Sequence, residues 1–294
     1  MDINISTVDQ HCEFLRQEKH AGYWWCQALD FMGAQYSKPV RARDGRWWYG
    51  VKPGLYFPVE ILKPSVNPAA LKIGLYFGRQ YRVESPHESN SFLKLNMIDD
   101  LQAYSIRSVS KSKRSKIRSA EKSCEVMLLK GDINKKLLGI LWGSWNENYR
   151  RTQWKKGLDL KGFVNRFMPH YHAPGVNILI AKRKSDELVL GYYIFKVVDG
   201  VFYGDSIVTN DASKSYHIND FLRFKAMRSA AICGVSTAYS SLVSNVENIE
   251  RFKKSLGFVA TPYPACLELN PVSEKVIKIF MSDSFKRLKG DLGT

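Results

Sequence analysis

The sequence predicts a mixed α/β fold of the α+β kind: a mostly antiparallel sheet with helices on both faces, preceded by a smaller N-terminal region. From residue 111 onward the pattern runs helix, strand, helix, helix, three strands, helix, strand, helix, strand, with a closing helix. Asp199-Gly200, between two strand-like runs, signals a tight antiparallel hairpin, and the helix after the third run must cross back over the sheet. The chain also has material for such a core: 294 residues, 45% apolar and 13% aromatic. That excludes a disordered, collagenous or disulfide-stapled chain.

Taken in order, residues 8–33 read as a helix running into the aromatic patch Tyr23-Trp24-Trp25. Short extended runs follow at 46–51, 55–61 and 71–83. Prolines at 53, 58, 64 and 68 punctuate them, which disfavours long central strands. Residues 85–90 read as a loop and 91–98 as a strand. The helix expected over 111–123 contains no Gly or Pro, and a strand over 124–129 follows it. Over 133–149, Leu137, Leu138, Leu141, Trp142 and Trp145 recur at i, i+3, i+4 spacing, a helical stripe. A second helix is expected at 161–171. Three strands follow at 176–184, 188–198 and 201–209. The remaining elements are a helix at 217–234 closed by Gly234, a strand at 235–242, a helix at 246–256 stopped by Gly257, a strand at 258–269 and a helix at 273–289. In such sheets ligands gather where neighbouring strands part at their C-terminal ends.

Charge divides the chain. Residues 1–107 hold 13 Lys and Arg against 11 Asp and Glu, whereas 108–294 hold 31 against 17, so +14 of the net +16 falls after residue 107. That field favours phosphate-bearing partners: nucleic acid, coenzyme A, nucleotide sugars or anionic lipid. The cysteines at 12, 26, 124, 233 and 266 are odd in number and scattered, giving neither a zinc spacing nor a redox pair. The first residues, MDINISTVDQ, do not form a signal peptide, and the longest apolar stretches are far too short to span a membrane. A reduced cytoplasmic setting is expected.

The run Asn245 to Phe258, NVENIERFKKSLGF, resembles the GNAT (general N-acetyltransferase) superfamily, which shows an Asn after the fifth strand, an aromatic seven residues on, and a Leu-Gly-Phe close. Here these are Asn245, Phe252 and Leu256-Gly257-Phe258. Two features depart from the common GNAT pattern. The loop 210–217 (NDASKSYH) has no glycine where many members cradle a pyrophosphate, and Phe252 stands where a Tyr is usual. Both departures, with Arg251-Phe252-Lys253 and the basic helix 113–122, resemble the Fem-type aminoacyltransferase branch. The resemblance covers 105–270. It divides the chain into a GNAT-like domain at 105–294 and an N-terminal region at 1–104, read as a truncated first GNAT copy or an acceptor-side domain.

That resemblance implies acyl transfer to an amine by direct attack, from acyl-CoA (such as acetyl-CoA) or aminoacyl-tRNA as co-substrate. No tightly bound cofactor, metal or covalent nucleophile is expected. Lys253 is placed at the leaving group, and Asp205, within the polar strand cluster 203–206, at the attacking amine. Asn245, Arg251, Lys214 and His217 fall on the donor side, with Arg114 and Arg118 as contacts to phosphate or acceptor. Arg150-Arg151, near Trp142, Trp145 and Trp154, suit bases or sugars. His170 and His172 read as a surface loop, and the Trp24-Trp25 and Trp47-Trp48 pairs as core. The competing class is a non-catalytic basic module that binds RNA or a phosphorylated ligand on a GNAT scaffold.

Overall fold

The computed structural model describes residues 5–7, 15, 40–52, 54–71, 76–152, 157–244, 246–280 and 282–290. The helix expected at 8–33, with Trp24-Trp25, lies almost wholly outside them, as do Trp154 and Asn245. In chain order the elements are β1 (Ile5–Thr7), β2 (Val40–Arg41), β3 (Trp47–Lys52), β4 (Leu55–Pro58), β5 (Gly78–Arg82), β6 (Ser91–Ile98), α1 (Lys111–Ser123), β7 (Cys124–Leu129), α2 (Lys135–Thr152), α3 (Leu160–His172), β8 (Val176–Arg183), β9 (Val189–Val198), β10 (Val201–Thr209), α4 (Ile218–Ile232), β11 (Thr237–Leu242), α5 (Glu247–Ser255), β12 (Val259–Leu269), α6 (Pro271–Phe280) and α7 (Ser282–Lys289).

Two compact units interleave along the chain. The first takes β1 and residues of 97–241 and 248–259; the second takes residues of 40–96, 242–247 and 260–290. The C-terminal strand belongs to the second unit, because β12 pairs antiparallel with β5, Cys266 opposite Tyr81.

In the first unit the strand order is β1-β7-β8-β9-β10-β11, antiparallel except for the parallel pair β10–β11. The mixed, mostly antiparallel sheet is as expected from the element order. Every residue of β9 is buried, because helices cover both faces. Tyr193, Phe195 and Val197 share one core with Ile117 and Ala120 of α1 and with Phe221 and Leu222 of α4. Tyr192, pointing the other way, meets Phe167 of α3 edge-on at 6.0 Å. Asp199 and Gly200 both have positive φ (50° and 70°), the requirement of the two-residue turn their sequence predicts. α5 ends on Gly257 at φ 95°. Its N–H donates to the Lys254 carbonyl at 3.0 Å while Phe258 N–H reaches the Lys253 carbonyl at 3.2 Å, which satisfies two carbonyls the helix end would leave open.

In the second unit the order is β6-β12-β5-β4-β3-β2. Trp48 is fully buried with Tyr56, Tyr81 and Val83, edge-on to Tyr81 at 6.0 Å. The expected closing helix at 273–289 is two helices, α6 and α7; Ser282, Asp283 and Ser284 are residues that favour helix starts over interiors.

One expectation is corrected. His170 and His172 do not sit in a loop, because α3 continues through Pro169 to His172. Phe163, Phe167 and Tyr171, at i, i+4, i+8, stack at 5.2 and 6.3 Å and carry the helix across the missing proline N–H. His170 is buried, its Nδ1 2.9 Å from the Arg166 carbonyl.

Candidate functional site

β10 determines the polar geometry of the first unit at two places. The first is a β-bulge: the pairing with β9 skips Asp205, so Gly204 opposes Phe195 and Ser206 opposes Ile194. Asp205 Oδ2 lies 2.6 Å from Lys196 Nζ, a lysine only 2% exposed, and Ser206 Oγ donates to Asp205 Oδ1 at 2.9 Å. The Asp205 carboxylate is thus the counterion of a buried cation.

The second place is the C-terminal end of the strand. Here Arg151, Thr209, Ser213, Lys214, His217, Ile218, Asn219, Asp220 and Phe252 surround a cavity of about 260 Å³. A 3-10 turn, Asp211–Tyr216, links β10 to α4. His217 then enters the helix at φ 53° without a side-chain cap, so its first-turn N–H groups gain no partner from that residue.

The linking loop is held from α2. Arg151 donates to the Thr209 carbonyl at 3.0 Å and hydroxyl at 2.8 Å, and to Asn148 at 2.8 Å; Glu147, one turn earlier, accepts from Asp211 N–H at 2.8 Å. Ser213 N–H donates to the Asn210 side chain at 3.1 Å. Two loop amides are therefore spent inside the protein rather than offered to a diphosphate. Positive charge at this end comes from side chains. Lys214 lies 3.0 Å and Arg151 3.7 Å from the Asp211 carboxylate, and Lys214 holds that carboxyl below the usual carboxylate range.

The far wall is Phe252. Lys113 Nζ stands 4.4 Å from its ring centre and the Arg223 guanidinium 5.6 Å. Lys113 also pairs with Asp220 at 2.6 Å, so α1 reaches the cavity wall. Burial pushes the neighbouring Tyr193 hydroxyl up, and Arg223 opposes that push.

Of the residues singled out in the sequence, Arg151, Lys214 and His217 line the cavity together with Phe252. Lys253 follows Phe252 on α5 but is buried away from that lining, 2.6 Å from Ser241 Oγ and 2.8 Å from Glu250. Arg251 is exposed on the same helix, and Asp205 sits in the bulge four residues before Thr209. Arg114 turns back on its own chain, donating to the carbonyls of Val109 at 2.8 Å and Arg107 at 3.1 Å; Arg118 is exposed on α1. Lys113, Arg223, Asp220 and Thr209 were not singled out. Lys113 carried a signal, since it sits one turn before Ile117 and on the stripe of Ile117 and Ala120, whereas its Asp220 partner 107 residues away carried none.

This arrangement of strands and helices is a GNAT-like fold, shared with Fem-type proteins. L-PGS from Bacillus licheniformis superposes with a TM-score of 0.56 over 90% of this chain and 91% of its own, at 15% identity. FemX superposes with a TM-score of 0.54 over 95% of this chain and all of its own, at 10% identity. A C-terminal domain assigned to a lysylphosphatidylglycerol synthetase of Agrobacterium fabrum gives 0.56 over 90% and 92%, at 9% identity. No family model and no curated protein matches the sequence.

Proposed function

We propose that this chain is an acyltransferase that moves an aminoacyl group from the 3′ end of a charged tRNA to an amine. One observation carries the choice of donor. At the end of β10 charge is supplied by Arg151, Lys214 and the Lys113 and Arg223 flank of Phe252, while two loop amides are already spent. A coenzyme A pyrophosphate favours a run of free backbone N–H groups. The separated phosphates of an RNA end are well served by side-chain cations, and a flat ring suits a base. The word lysyl in one neighbour's name fits an aminoacyl product.

In this reading the amine nitrogen attacks the ester carbonyl carbon, a C–N bond forms, and the ester C–O bond breaks. The nitrogen releases a proton and the ribose hydroxyl leaves with one. Asp205 contacts the incoming amine, and Lys253, braced by Ser241 and Glu250, supplies fixed positive charge for the departing oxygen. Lys214 and His217 hold the donor, and the exposed Arg251 and Arg118 are open to its phosphates. Thermal shift against charged tRNA, acetyl-CoA and longer acyl-CoAs tests the donor. Stabilisation by charged tRNA alone is the expected result, and stabilisation by a thioester alone overturns the choice. If none stabilises the protein, and Lys253→Ala leaves every measured activity intact, a non-catalytic binding module replaces the enzyme.

A further inference from the structure

The second unit carries a surface the proposed chemistry does not use. α6 exposes Val272, Val276 and Ile279, at 73%, 46% and 71%. The spacing i, i+4, i+7 aligns the three on one stripe. Over its ten residues α6 is about 15 Å long. The opposite side is anchored: Asn270 caps the helix by accepting from Ser273 N–H at 2.7 Å and ties back through its amide to the Tyr76 carbonyl at 2.7 Å. Ser273 is buried. α7 is likewise seated, since Gln80 donates to the Leu288 carbonyl at 2.7 Å and Lys289 to the Asn90 carbonyl at 3.1 Å. The apolar stripe is therefore the outward face of fixed helices.

Its border is cationic. Residues 271–290 hold five Lys and Arg against two Asp and Glu. Lys275, on α6 beside the stripe, and Lys286 on α7 are exposed, and neither makes an ion pair among the described residues. Lys278 folds over Phe285 at 5.1 Å and pairs with Glu274 at 2.8 Å. An exposed apolar stripe edged by lysines matches the boundary of an anionic bilayer, with valine and isoleucine entering the acyl region and the ammonium groups reaching the headgroups. A second copy of the chain fits less well, because it would bring the same lysines face to face.

We propose that α6 and α7 dock the protein on an anionic lipid surface, with Val272, Val276 and Ile279 inserted and Lys275 and Lys286 on the headgroups. The test is co-sedimentation of the full chain with phosphatidylcholine vesicles made with and without phosphatidylglycerol. Binding should require the anionic lipid. The triple variant Val272→Ser, Val276→Ser, Ile279→Ser changes only exposed side chains and should bind about tenfold more weakly. Lys275→Ala and Lys286→Ala should each weaken binding about fivefold. Equal sedimentation with neutral and anionic vesicles, or a triple variant that binds like the parent, overturns the proposal. So does light scattering that finds a dimer in the parent and a monomer in the triple variant, because the stripe is then a self-interface.

Discussion

The two polar places on β10 use charge in opposite ways. At the bulge, Asp205 and Lys196 pair at 2.6 Å inside the fold. At the C-terminal end, Lys214 and Arg151 share an exposed Asp211 beside an open cavity. A buried pair is expensive to break and slow to exchange, so it fixes shape. An exposed pair in water is worth little and can trade its partner for a ligand's phosphate. The strand thus keeps a rigid centre at Asp205 and a responsive end at Thr209, four residues on.

The largest effect is expected at the bulge. Asp205→Ala removes the carboxylate 2.6 Å from the buried Lys196 ammonium and should cost about 3–5 kcal/mol in chemical denaturation. Lys196→Met combined with Asp205→Leu should recover most of that stability while abolishing transfer, which separates the fold-holding role of the pair from its proposed contact with the amine. Stability loss of under ~1 kcal/mol for Asp205→Ala would place the bulge in the same class as the surface pairs.

At the responsive end the effects fall on ligand rather than fold. Arg151→Ala removes a cation and the clamp on Thr209, and should weaken charged-RNA binding about tenfold. Smaller and opposite in sign, Asp211→Asn releases Lys214 and Arg151 from their shared carboxylate and should tighten binding about threefold at low salt. Because Lys214 holds the Asp211 carboxyl below its usual range, Asp211 stays ionised across neutral pH. Its ion pairs are present above the ordinary carboxylate pKa and lost as pH falls through the lowered one, so binding in the parent should rise only in the acid range. Fluorescence anisotropy with an aminoacylated RNA hairpin reads all three.

Much of the rigid part was legible in the sequence. The strand at 91–98, the helix at 111–123 and the strands at 124–129 and 201–209 have the bounds their residues predict, because alternation, turn residues and the absence of Gly or Pro act locally. What packing decides was not legible. Lys113 and Arg114 are neighbours of like charge in one basic helix, yet one reaches Asp220 and Phe252 while the other closes on its own backbone. The missing glycines in 210–217 announced an unusual loop, but only the fold shows Glu147 and Asn210 taking its amides. His170 and His172 read as a loop from their place before Pro174-Gly175, whereas the aromatic ladder of Phe163, Phe167 and Tyr171 carries α3 through Pro169 to His172.

Whether phosphate is held at the end of β10 is read from the salt dependence of binding to an aminoacylated RNA hairpin, for the parent and for the double variant Arg151→Ala, Lys214→Ala. Affinity should fall with salt in both, and the double variant should lose roughly two from the log–log slope, one for each cation withdrawn from phosphate. An unchanged slope and affinity in the double variant would contradict this expectation, because the phosphates would then lie elsewhere than at the end of β10.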